Sequence, residues 1–232
     1  RLGKSSSLEK SMLGTHTFHY FLSALLLACV APYTTIAAEP TSETVVLSGA
    51  TLYTVTQGVI PRARIIVRGG KIVEVGTVED VLLPPGAKHR EVFGKVIIPG
   101  LVDTHSHLGV YPRPRIPAHA DGNETSSPLQ SSVRAIDAIY PSDPGIRMAL
   151  AGGITTTNVM PGSGNPVGGQ TAYIKLSGET VEEMVINKQG ISGGMKMANG
   201  ENPKRVYGAR KQAPVTRMGI AALQRQLFVR AL

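Results

Sequence analysis

The sequence predicts an α/β protein in which a small β-rich segment precedes alternating strands and helices, and three observations carry that prediction. Twenty-six Gly and 16 Pro against four Phe and no Trp in 232 residues describe a chain of turns and glycine-rich loops rather than a helical bundle. Residues 44–76 alternate short β-branched runs with turns. From residue 96 onward, apolar runs alternate with a helical pattern and end in exits carrying glycine, proline and histidine. With 42% hydrophobic content there is material for one large domain, or for a small domain and part of a larger one.

Residues 1–38 read as a signal peptide with an upstream extension. Tyr20 to Ala31 is dominated by Leu and Ala, carries no charge and is too short for a membrane span. It leads to Ala37-Ala38-Glu39, which puts Ile36 and Ala38 at the minus-three and minus-one positions of a cleavage site. Met12 is a candidate start, because the chain opens on Arg1. The expectation is a periplasmic or secreted protein. Leu26-Leu27-Ala28-Cys29 is an imperfect lipoprotein box, leaving a lipid-anchored alternative through Cys29. Membrane contact is then transient, through the signal peptide, or made by that lipid. Cys29 is the chain's one cysteine, which excludes an internal disulfide framework and any multi-cysteine metal site.

Within 39–98, the first part of a small β domain, strands are predicted at 44–47, 51–55, 63–67 and 71–75. Gly69-Gly70 between the last two supplies the positive φ angles of a tight hairpin. After Pro84-Pro85-Gly86, one more strand at 91–98 is expected to close this domain.

The most informative stretch opens the second domain, 99–232. Val96-Ile97-Ile98 and Leu101-Val102 read as a buried strand interrupted by Pro99-Gly100 and running into Asp103-Thr104-His105-Ser106-His107. Side chains two apart on a strand share a face at a spacing of roughly 7 Å, so His105 and His107 can converge on one metal ion, with Asp103 on the same face. The bland alternative is two half-exposed polar residues alternating by chance.

Residues 108–132 are irregular, either an ordered loop over a site or a flexible one. His119 reads first as a surface residue and second as a substrate contact, and Asn123-Glu124-Thr125 matches an N-glycosylation acceptor. A helix is predicted over 143–152, with Pro144 in its first turn and Gly152-Gly153 at its end. A strand over 154–160 then opens into a glycine-rich loop over 161–170. That loop matches neither the dinucleotide fingerprint nor the P-loop, and its Gly168, Gly169 and Gln170 are candidate substrate-binding residues. A strand over 171–176, a helix over 181–187 and a short strand over 194–198 follow. Lys196 lies in that last apolar strand and needs a carboxylate partner or a chemical role. Residues 200–208 read as another strand exit. From the candidate N-cap Thr216, apolar residues recur at helical spacing to Leu232, so the chain is expected to stop at a helix and to be part of a longer protein.

These motifs resemble the amidohydrolase superfamily of metal-dependent hydrolases: the β-rich 44–76 followed by Gly94-Lys95-Val96-Ile97-Ile98-Pro99-Gly100-Leu101-Val102-Asp103-Thr104-His105-Ser106-His107. Arg134-Ala135-Ile136-Asp137, Ala151-Gly152-Gly153-Ile154-Thr155-Thr156-Thr157, Gly168-Gly169-Gln170 and the run from Lys196 to Gly208 resemble its imidazolonepropionase-related branch. The resemblance covers about residues 44–232 and implies a β-sandwich beside a partial TIM-like (β/α)8 barrel, with its site at the strands' carboxyl ends. It makes His105 and His107 ligands of a divalent metal, most simply zinc, as one or two ions, and Lys196 a candidate carboxylated bridge. The remaining ligands and the catalytic acid/base are expected beyond Leu232. Residues 39–232 alone are then expected to be inactive, and metal-dependent amide hydrolysis by that segment would overturn this.

The formal charge of +8 is diffuse, with small clusters at Arg62-Ala63-Arg64, Arg113-Pro114-Arg115 and 204–217. None is interleaved with stacking aromatics, so nucleic acid is not an expected partner. The leading expectation is an exported hydrolase of non-peptide carbon–nitrogen bonds in a small-molecule substrate, a cyclic amide or relative. The alternative is a secreted non-catalytic binding protein or decayed paralogue on the same scaffold. Substrate and oligomeric state are not legible.

Overall fold

The computed structural model describes residues 43–232, so the expected signal peptide, Met12, Cys29 and the Ala38 cleavage site lie outside the described residues. Among the described residues no helix is long and apolar enough to cross a membrane. The fold is α/β with three separate mixed or antiparallel sheets, and no closed barrel forms among the described residues.

The first sheet is built on β1 (Thr44–Tyr53), which pairs antiparallel with β2 (Val59–Arg68). β2 in turn pairs with β3 (Lys71–Thr77) across the hairpin at Gly69 and Gly70, whose φ of 56° and 74° are the angles the turn requires. The two runs expected at 44–47 and 51–55 are one strand, bulged around Gly49 at φ 96°. The strand expected at 91–98 starts earlier and is broken, as β4 (Lys88–Glu91) and β5 (Val96–Ile97), both parallel to β1. Within the break, Phe93 lies against Gly49, where any β-carbon would collide with its ring. Val46, Ile66 and Val81 form one small core here, and Leu52, Ala63 and Ile65 another.

The second sheet has the order β6-β7-β9. β6 (Leu101–Ser106) runs parallel to β7 (Ile154–Val159), with helix α1 (Pro144–Ala151) between them in sequence, a βαβ unit. β9 (Ala172–Lys175) adds antiparallel to β7. The main core sits behind this sheet, where Ile146 of α1 meets Val159, Ala172, Ile174, Val110, Ile139 and Met184. β6 is not the buried strand expected: Leu101 is 50% and Val102 63% exposed. It has one strand neighbour, β7, among the described residues, and no described layer covers its outer face.

The third sheet pairs β8 (Val167–Gln170) with β10 (Met195–Met197). The end of the expected glycine-rich loop is therefore strand, and its glycines have a packing reason. Gly169 has φ 119°, and a β-carbon there would lie 2.5 Å from the Val133 carbonyl oxygen, whose partner is the Gln170 N–H at 2.7 Å. Gly169→Ala is accordingly expected to cost about 2 kcal/mol or more in urea unfolding. A change under about 0.5 kcal/mol, the range of an ordinary surface substitution, would remove this account.

Helix α2 (Val181–Met184) is shorter than the predicted 181–187; Thr180 caps it, accepting from the Glu183 N–H, and the chain turns extended at Val185. Residues 200–208, expected as a strand exit, form helix α3 (Glu201–Ala209). Pro203 is the third helical residue, where no intrahelical N–H is required, so a turn-former is compatible with the first turn. Helix α4 (Arg217–Ala231) begins where expected, with Thr216 accepting from the Gly219 N–H.

Candidate metal centre

β6 ends at Ser106, so His105 is the penultimate residue of the strand and His107 lies just beyond it. Their rings sit perpendicular with centroids 5.5 Å apart. The Nδ1 of His107 lies 2.8 Å from the Met160 carbonyl oxygen, at the exit of the neighbouring β7. A carbonyl only accepts, so this bond fixes the proton on Nδ1 and leaves the Nε2 lone pair free. Orientation by a backbone carbonyl is the usual support of a metal-ligating imidazole. On its other side His107 packs edge-on against Tyr111, centroid to centroid 5.5 Å. Tyr111 reaches that place because its N–H bonds back to the His107 carbonyl in a single helical turn. Burial pushes the Tyr111 phenol above its ordinary value.

Lys196 comes to this pair from the third sheet. Its Nζ is 3.3 Å from His105 Nε2 and 3.3 Å from the Met160 sulfur. The positive Lys196 holds the His105 imidazole below its ordinary pKa, helped by desolvation and by His107, while Asp103 pulls the other way. Partial burial likewise lowers the Lys196 ammonium. Both shifts favour the neutral forms, which carry the lone pairs that a metal or an electrophile requires.

Asp103 is on the strand as expected, but its Oδ1 accepts the His105 backbone N–H at 3.0 Å. Gly169 is paired in register with Lys196, and Gly168 leaves room for the lysine stem: a β-carbon there would be 3.5 Å from Lys196 Cγ. Gln170 is turned out, its Nε2 donating to the Ser131 carbonyl. His119 stacks on Tyr140 at 4.8 Å, away from the pair. Asn123 has its carboxamide engaged internally, accepting from the Gly164 N–H and donating to the Tyr111 hydroxyl. The 108–132 segment is thus an ordered one, tied further by Tyr207 and Asn165 to the Ser127 carbonyl. Among the described residues, no three His, Cys, Asp or Glu side chains gather as a complete metal site.

Two participants escaped the sequence reading, Met160 and Tyr111. Met160 was accessible in principle, as the last residue of the predicted strand beside the histidine strand. Tyr111 was not, because the turn that carries it lies in a segment without periodicity.

No family model matches the chain. Over 157 residues it is 38% identical to amidohydrolase tasK of Hapsidospora irregularis, covering 64% of this chain and 16% of that protein. Over 53 residues it is 40% identical to an imidazolonepropionase of Clostridium tetani, covering 22% of this chain and 13% of that one. The crystal structure of an amidohydrolase from Thermotoga maritima superposes with a TM-score of 0.73 at 42% identity, over 80% of this chain and 47% of the other. The chain thus spans less than half the length of that solved relative and a smaller share of the two curated ones. Like the histidine pair at the end of β6, these matches are to the amidohydrolase superfamily, which the chain resembles over part of those relatives' length.

Proposed function

We propose that the protein to which this chain belongs is an exported, metal-dependent hydrolase of non-peptide carbon–nitrogen bonds in small molecules, with His105 and His107 supplying two ligands of its metal. The observation that carries the proposal is the His107 Nδ1 bond to the Met160 carbonyl, which leaves one free Nε2 lone pair beside a second imidazole. Imidazole nitrogens suit a borderline divalent ion such as zinc. Lys196 is the proposed third group, as a carboxylated bridge if two ions are held. The lowered ammonium supports that role, since only the free amine can add to carbon dioxide.

The chemistry supplied on metal binding is Lewis-acid activation of water and of the scissile carbonyl. What these residues contribute is position and charge state. Met160 holds one imidazole in its tautomer, Tyr111 packs edge-on against that ring, and Lys196, while it carries its ammonium, disfavours protonation of the other imidazole. A catalytic zinc takes three protein ligands and a water, so the proposed first shell includes further residues and a proton carrier outside the described set. The partial (β/α)8 barrel and β-sandwich belong to the same proposal, supported by the parallel β6–α1–β7 unit and the separate five-stranded sheet. Export rests on the apolar Tyr20–Ala31 run.

The test is release of amine from a panel of cyclic amides by the full-length protein, abolished by chelation and restored by zinc. Because His105 sits below the ordinary imidazole value of 6.5, metal is expected to be held at neutral pH and shed only as the pH falls well below that value. Retention of metal unchanged down to about pH 4 would remove the imidazoles as ligands. Zinc binding without turnover of any substrate would favour a non-catalytic binding protein.

A further inference from the structure

We infer that the corner between α3 and α4 is a docking surface for an anionic lipid membrane, a property independent of the reaction proposed above. The positive charge that reads as diffuse along the sequence is segregated. Residues 43–201 carry 14 Lys and Arg against 14 Asp and Glu, whereas residues 202–232 carry seven Lys and Arg and no acid. The net charge of the described chain therefore belongs to α3, α4 and the turn that joins them. A local excess of this kind attracts an anionic surface at close range.

The fold gathers much of this charge in one place. Past α3, the N–H groups of Arg210 and Gln212 return to the Tyr207 carbonyl and that of Lys211 to the Gly208 carbonyl, while Thr216 caps α4. The turn closes tightly: a β-carbon on Gly208 would lie 3.6 Å from Val215 Cγ1, and one on Gly219 3.2 Å from Pro214 Cβ. Tyr207, Pro214 and Ile220 are buried and anchor the corner from within. Outward it exposes Arg205, Arg210, Lys211 and Arg217, with Val215 58% and Met218 81% exposed among them. Among the described residues none of those four cations is in a salt bridge, whereas Arg62, Lys88 and Arg134 each have a carboxylate partner. Arg205 donates to the Asn202 side chain and Arg210 to the carbonyl and hydroxyl of Thr125, contacts that leave their charge uncompensated.

Cations around two apolar tips match a phospholipid surface, which offers phosphates outside and hydrocarbon beneath. A nucleic acid is matched less well. Its bases call for exposed aromatic faces, yet Tyr207, the aromatic of this corner, is fully buried, and a phosphate backbone offers nothing to Val215 and Met218.

The experiment measures co-sedimentation of the full-length protein with vesicles of phosphatidylcholine alone and with vesicles containing about a third phosphatidylglycerol. Binding to the anionic vesicles is expected to be about tenfold tighter or more, and to weaken steeply between about 0.05 and about 0.5 M salt. R205Q/K211Q/R217Q leaves the Arg210 bonds to Thr125 in place. At about fivefold per cation, it is expected to bind the anionic vesicles more weakly by about tenfold at least. V215S/M218S is expected to weaken the same binding severalfold and to keep its salt dependence. Equal binding to the two kinds of vesicle, binding to neither, or anionic binding undiminished in R205Q/K211Q/R217Q would overturn the inference. A DNA duplex bound as tightly as the anionic vesicles and insensitive to V215S/M218S would assign the surface to nucleic acid instead. The apolar Tyr20–Ala31 run is common to every variant, so it cannot account for a difference among them. All five replaced side chains belong to exposed residues, and both variants are expected to unfold at the wild-type temperature and to retain wild-type zinc content.

Discussion

Replacing both imidazoles, His105→Ala with His107→Ala, is expected to weaken zinc binding by at least about a hundredfold, more than the loss of a supporting contact alone would cause. The reason is geometric: the two rings, 5.5 Å apart, are the one pair of histidine side chains the described fold brings together at a strand exit. His105 is exposed and His107 half-buried, so their removal leaves no large cavity and global stability should change little. Metal content after gel filtration and the urea midpoint of the same samples separate the two effects. Unchanged metal content would end the assignment of these residues as ligands.

The largest stability effect belongs to a residue that touches no ligand. Asp143 is fully buried, caps α1 through the Gly145 N–H, and takes the Gly109 and Arg113 N–H groups on its two oxygens. Asp143→Ala would leave three backbone donors unpaired, those of Gly109 and Gly145 buried and that of Arg113 partly so, at a cost of about 3–5 kcal/mol. Asp143→Asn keeps an acceptor oxygen and should recover roughly a third to a half of that loss. Urea denaturation of the two variants decides it, and a loss below about 1 kcal/mol for the alanine would show that water replaces the carboxylate.

Much of the fold is legible because its signals are local. The Gly69-Gly70 hairpin, the Pro144 start of α1 and the Thr216 cap of α4 each depend on a residue's own backbone preference, and each is found where the pattern puts it. The departures concern relations between distant residues. Leu101 and Val102 look like core, yet their exposure is decided by what lies beside β6. Gly168 and Gly169 look like a loop because glycine usually marks one, while the Val133 carbonyl and the Lys196 stem are what make glycine necessary in a strand. Gly200, Asn202 and Pro203 look like a turn, although each is compatible with the opening of a helix. At the candidate centre the histidine pair was visible from its spacing, and Lys196 from its apolar company. Their proximity was not, because it depends on the docking of two sheets.

That docking has a kinetic meaning. The Lys196–His105 contact joins residues 91 apart in sequence, one in the sheet of β6 and the other in the sheet of β8 and β10. Closing so long a loop costs chain entropy until the intervening strands have paired, so the centre is expected to form after them. An ion held as proposed, by groups from both sheets, would bind the finished chain and not its partly folded precursors, and would stabilise the native state in proportion to how completely it discriminates between them.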